Sequence, residues 1–167
     1  DGIDSLVAGT SITAATGANI SGFEVVSAGA VTVVLPAATN TIGTVSFTGT
    51  GGSVAGVATG ATVSQAATGT NTVKNTTGWT GTTDALSVSV GSATSTGAIT
   101  QALTATGIET ATITNSQLST DTTARSVGVT SANLTKMTVA SSGTAQITVT
   151  GGGVALTEID ASGVGGI

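Results

Sequence analysis

Four valines in the middle of the chain, Val45, Val54, Val63 and Val73, follow one another at intervals of 9, 9 and 10 residues. Each lies in a short stretch of strand-forming residues: "TVSF" (44–47), "SVAGV" (53–57), "TVSQ" (62–65) and "TVKN" (72–75). Gly-rich segments such as "GTGG" and "ATGT" separate them. A nine-residue beat leaves room for one short strand and one tight turn, which is the half-turn of a β-roll. Parallel strands and short antiparallel strands both fit this spacing, so strand direction over residues 30–75 is open at this level.

The C-terminal part carries a longer beat. "LTKMTVAS" (134–141) and "LTEIDASG" (156–163) repeat at a spacing of 22. Met137 and Val139 in the first correspond to Ile159 and Ala161 in the second. "SVGVT" (126–130) and "QITVT" (146–150), 20 residues apart, also alternate. Alternation of this kind marks half-buried strands. The tail therefore reads strand, turn, strand, turn, with two strands in roughly 20 to 26 residues, the rung length of a two-faced parallel β-solenoid.

Composition limits what core such strands can build. Charged residues are 7% of the chain and aromatics 2%, against a usual charged share of about 25%. The apolar residues are mostly Val, Ile and Ala, interleaved with Thr, Ser and Gly. A mean hydropathy of +0.45 and a net charge of −5 are not those of a disordered chain. With so few aromatics, a thin core closed by backbone ladders is the natural solution. The expectation is an all-β, mostly parallel β-solenoid of the β-roll or β-helix type, with short strands and Gly/Thr-rich turns.

A second, larger repeat frames the first. "DSLVA" (4–8) resembles "DALSV" (84–88) at an offset of 80, and "SGFEVVSA" (21–28) resembles "TGIETATI" (106–113) at 85. Each half begins Asp-x-Leu and later reaches Gly-(Phe/Ile)-Glu. Two related, continuous units are expected, residues 1–80 and 81–167, joined at "NTTGWTGTT" (75–83). The chain starts without Met and in mid-pattern, and reads as an excerpt of a longer one.

The stretch "GTTDALSVSV…LTATGIETATITNSQLSTDTTARSVGVTSANLTKMTVASSGTAQITVTGGGVALTEIDASGVGG" resembles the repeat regions of bacterial S-layer proteins and related giant surface proteins of the RTX group, exported by type I systems. The likeness covers nearly the whole chain. It implies a calcium-stabilised β-solenoid at the bacterial cell surface, extracellular, self-assembling into a homo-oligomeric lattice, with cell-surface polysaccharide bound through other regions. A stalk of a type I-secreted RTX adhesin shares most of these features. The chain departs from the family pattern in having no complete G-G-x-G-x-D nonapeptide.

Calcium candidates follow from the opening "DGIDSLVAG", which fits the second part of that nonapeptide with Asp1 third, Gly2 fourth, Asp4 sixth and Leu6 eighth. Carboxylates and carbonyls of such turns suit a hard cation. Asp1 and Asp4 are read as the closing piece of a calcium turn, against a plain turn before a strand. Asp84, in "GTTDAL", is a third candidate, although its glycine stands one residue too early and a plain turn fits better. Glu24 and Glu109 follow the large apolar residue of their segments, and a solvent-facing charge that blocks unwanted strand pairing is preferred for them over a calcium or subunit contact.

Several function classes are set aside. With no His, Cys or Tyr, catalysis would fall to carboxylates, Lys and Ser/Thr, and no enzyme is expected. Lys74, Arg125 and Lys136 cannot form a basic patch for nucleic acid. No apolar run is long enough for a transmembrane helix, so membrane insertion is not expected. Thr-x-Thr runs such as "TITN", "TVTG" and "TKMT" could form ladders about 4.7 Å apart, the geometry used by ice-binding proteins. The plainer reading, Thr as a strand former, is preferred.

Overall fold

The computed structural model describes residues 2–65, 68–75, 78–91, 98–115, 125–141, 147–152 (backbone) and 155–164. Among them the chain is all-β, in two sheets whose pairings all run parallel. The first sheet takes β1 (Ser5–Ala8), β2 (Val25–Ala28), β4 (Ile42–Phe47), β6 (Val57–Gln65), β8 (Ala85–Val90), β10 (Thr110–Asn115), β12 (Lys136–Ser141) and β14 (Glu158–Val164), in that order. The second takes β3 (Thr32–Val34), β5 (Ser53–Ala55), β7 (Gly69–Lys74), β9 (Ile99–Ala105), β11 (Arg125–Thr130) and β13 (Ile147–Gly152). From β2 onward the chain alternates between the sheets. A lone parallel bridge of Ile12 to Val33 extends the second sheet towards β1. Neither sheet closes into a barrel.

The valine beat sets this alternation. Val45 and Val63 lie on the first sheet, Val54 and Val73 on the second, and all four are fully buried. The middle strands are therefore parallel, which settles the direction that the spacing left open. In the first sheet Leu6, Val26, Val45, Val63, Val88, Ile113 and Val139 stand in register on seven successive strands. Val33, Val54, Val73 and Ala105 form the corresponding inner row of the second. Side chains on a strand alternate in direction, so each strand gives every second residue to the thin core and the rest to solvent.

In the tail the ladders depart from the sequence repeats at two places. "SVGVT" and "QITVT" suggest pairing at an offset of 20, but Ser126 pairs with Thr148, an offset of 22. Strand β13 begins at Ile147, so the sequence likeness is displaced by two residues from the ladder. The 22-residue repeat holds from Met137 with Ile159 to Thr138 with Asp160. A register shift follows, and Ala140 pairs with Gly163, which ends the match of Val139 with Ala161. Asp160 is thus in a strand, beside this irregularity. Its carboxylate accepts hydrogen bonds from the Ser162 hydroxyl and backbone N–H (2.9 Å for the latter), which hold its pKa below the ordinary aspartate value, with Lys136 adding a smaller attraction. A carboxyl lowered in the folded state contributes stability above its ordinary pKa and loses it as pH falls through the lowered value. The Ser162 amide resonance should titrate with that lowered midpoint, and Ser162→Ala should move the Asp160 midpoint back up; an unmoved midpoint would contradict the contact.

One short element is not strand. Ala14–Gly17 forms a single helical turn, α1, closed by a capping box between Thr13 and Thr16. It lies against β3 so closely that a Cβ at Gly17 would sit 2.0 Å from the Val34 carbonyl oxygen. Next to it, buried Asn40 ties the turn preceding β2 to that preceding β4. Its Nδ2 donates to the carbonyls of Ile20 (2.9 Å) and Pro36 (3.1 Å), and its Oδ1 accepts from Phe23 N–H (3.1 Å).

Candidate functional site

Asp4, Glu24, Asp84 and Glu109 each stand where the chain enters a strand of the first sheet, along one edge of the stack. At each of these corners one carbonyl accepts two N–H groups from the next strand of the stack. Asp4 O receives Glu24 and Val25, Glu24 O receives Gly43 and Thr44, and Asp84 O receives Glu109 and Thr110. The same pattern continues from Glu109 O to Thr135 and Lys136, and from Thr135 O to Thr157 and Glu158.

Side chains reinforce this corner in two chemical ways. Where the residue is Glu, its carboxylate accepts the N–H of the preceding acidic residue: Glu24 Oε2 from Asp4 at 2.9 Å, and Glu109 Oε2 from Asp84 at 2.8 Å. Glu109 Oε1 also accepts from Asn133 Nδ2 at 3.3 Å. Where the residue is Thr, its hydroxyl donates back to the carbonyl, as Thr135 does to Glu109 O and Thr157 to Thr135 O. The Gly-(Phe/Ile)-Glu repeat is therefore a corner lock. Gly22 and Gly107 supply positive φ values of 82° and 95°, and the Glu two residues on fastens the corner. The preferred reading of Glu24 and Glu109 as merely solvent-facing charges is corrected: both are half-buried and accept backbone hydrogen bonds. An Asp-x-Leu repeat at 80 residues and a Gly-x-Glu repeat at 85 give two locks whose arms are 20 and 25 residues apart. Charge-assisted bonds of this kind contribute about 1–3 kcal/mol, so Glu109→Ala should lower stability by about that much in urea denaturation, while Glu109→Gln should lose less. An unchanged midpoint for Glu109→Ala would mean the lock contributes nothing.

The calcium candidates are placed as follows. Asp4 and Asp84 stand before β1 and β8, with β2, β4 and β6 between those strands, so the structure does not bring them together. Asp1 lies outside the described residues. Asp84 Oδ2 accepts the N–H of Gly81 at 2.7 Å, an ordinary turn contact. Each corner offers two carboxylates, the right donor type for calcium but short of the six to eight oxygens that ion takes. Among the described residues no three acidic side chains converge on one point. Glu24 and Glu109, on the stretches leading to β2 and β10, are also separated by three strands.

No family model, curated protein or solved structure matches this chain. What it offers a partner must be read from its own surfaces. Its outer face on the first sheet carries two rows of hydroxyls in register. Thr44, Thr62, Ser87 and Thr112 form one, continued by Thr138. Ser46, Ser64, Ser89 and Thr114 form the other. Strands β4, β6, β8 and β10 bear no charged residue. The nearest charges on the same face lie on the strands beyond: Lys136 and Glu158, paired at 2.7 Å, and Asp160, in register with Thr138.

Sequence reasoning missed the buried polar residues. Arg125 is fully buried at the start of β11, in register between Ile99 and Ile147, rather than available as a surface cation. Its phase gave the signal: it shares parity with the inward-facing Val127 and Val129. Gln65 and Asn115 face inward on the row that contains Phe47 and Val90. Trp79 packs in the core, so it cannot serve as a stacking platform for a sugar.

Proposed function

We propose that the two sheets are the faces of one parallel β-solenoid, made of two related units (1–80 and 81–167), and that the chain serves structurally. In this reading it is a segment of a secreted, self-assembling array on a bacterial cell surface, of the S-layer kind, and not an enzyme. The observation that carries it is the stacking of parallel strands in two continuous ladders, whose outer faces hold few charges among the described residues: Lys74 on the second sheet, and Lys136, Glu158 and Asp160 at one end of the first. Such a body extends by adding turns, resists bending through continuous backbone ladders, and keeps few charges that would hold copies apart. Export and calcium stabilisation through Asp1, Asp4 and Asp84 rest on the sequence resemblance, since the acidic corners supply only part of a calcium shell.

Electron microscopy of the purified chain in millimolar calcium and again in chelator tests this. Ordered sheets that dissolve in chelator would support the array and its calcium dependence. Isolated rods in both conditions would overturn the lattice and leave the stalk of a surface adhesin as the better account.

A further inference from the structure

We infer that the interior of the stack binds water along a polar seam, at Gln65 and Asn71. Eight polar side chains are buried among the described residues, and six of them stand where the chain leaves the first sheet and enters the second. Gln65, Asn115 and Ser141 are the last residues of β6, β10 and β12. Asn71, Gln101 and Arg125 lie within the first three residues of β7, β9 and β11. Where the chain returns to the first sheet the buried side chains are chiefly apolar, Leu35, Trp79, Ile108 and Leu134 among them. Polarity inside the fold is therefore concentrated on one side.

Gln65 carries the inference. It is fully buried, and neither atom of its amide has a hydrogen-bond partner within the protein. Such an amide has two N–H donors and a carbonyl with two acceptor positions to satisfy. Its neighbours in register are Phe47 and Val90, whose side chains offer no hydrogen bond. Asn71, also buried, is half satisfied: its Oδ1 accepts the N–H of Gly52 at 2.8 Å, and its Nδ2 has no protein partner. The two residues are on consecutive strands joined by only three residues. Gln101, buried on the adjacent strand, adds a third amide, since it pairs with Gly69, two residues before Asn71.

Side-chain size leaves room for an occupant. One turn earlier the Phe47 ring fills this place so closely that a Cβ at Gly52 would stand 2.8 Å from it. Further along the same row come Val90, Asn115 and Ser141, each smaller than that ring. Buried amides are almost always hydrogen-bonded, and a water held by about 2–4 polar groups is how folds satisfy those that protein atoms do not reach. Burial also selects the occupant. With Gln65 and Asn71 closed off from solvent, only a molecule as small as water can pass between packed side chains during brief local openings.

The test is nuclear magnetic resonance of the isotope-labelled full chain in solution. The side-chain amide protons of Gln65 and Asn71 should show cross-peaks to water with the sign of a long-lived, protein-bound molecule, and rotating-frame spectra separate these from proton exchange. Gln65→Met, close in shape and without the amide, should lower the number of long-lived waters counted by oxygen-17 relaxation dispersion. Thr62→Met, on the outer face, should leave that number unchanged. If Gln65→Met fails to fold, the wild-type cross-peaks decide alone. Wild-type spectra without bound-water peaks at either amide would overturn the proposal, as would an unchanged water count in the folded Gln65→Met variant. A Gln65→Met variant with a much higher Tm than a wild type that lacks those peaks would show that the amide is buried dry.

Discussion

Gly107→Ala should destabilise the protein by about 3–5 kcal/mol, a large part of the 5–15 kcal/mol that holds a domain folded. Two independent costs add at this position. Its φ of +95° lies where a residue with a Cβ is strained. The added Cβ would also stand 2.0 Å from the Trp79 carbonyl oxygen and 2.9 Å from its carbonyl carbon. Those are backbone atoms, so no rotamer change relieves the overlap; the corner entering β10 has to move. The bonds from Glu109 and Thr110 N–H to Asp84 O are then at risk together. Gly43→Ala is the control, because a Cβ there would meet only the Thr41 carbonyl oxygen at 4.0 Å and its φ is not positive. Urea denaturation of both variants checks the expectation. If Gly107→Ala lay as close to wild type as Gly43→Ala, the packing of Trp79 beneath this corner would be wrong.

Ile113→Ala should cost about 2–5 kcal/mol. Ile113 is fully buried at the centre of β10, with Val88 and Val139 in register on either side. How much a truncation costs depends on how far the surroundings collapse into the void. Here they can move little, because β10 is tied to β8 and β12 along its whole length and the neighbours are short, stiff valines. Val7→Ala, at a residue 78% exposed, should be nearly neutral. Thermal or urea unfolding distinguishes the two, and a loss below about 1 kcal/mol for Ile113→Ala would mean that its row is not the core of the sheet.

Inside and outside were legible in the sequence to a large degree. The interval of the four valines already contained the alternation between two sheets, since nine residues cannot hold more than a strand and a turn. The composition already required a thin core. Arg125 was legible by parity, since its phase with Val127 placed it inward, although a cation is usually exposed. Asn40 gave no signal, because a polar residue in a turn looks the same whether it faces water or closes three backbone bonds. The offsets in the tail went wrong where similarity between segments differed from pairing. "QITVT" resembles "SVGVT" at 20 residues, but the ladder joins them at 22.

The sequence by itself determined the strand content, the parity of each strand and the positions where glycine lets the chain turn, because these depend on neighbours within a few residues. Only the tertiary structure decided which strands are neighbours and in what register. That depends on loops of unequal length, which is why Glu24 reaches back 20 residues to Asp4 and Glu109 reaches back 25 to Asp84. The same registration turned scattered Ser and Thr residues into two aligned rows. A row is a property of stacked strands, and no single strand contains it.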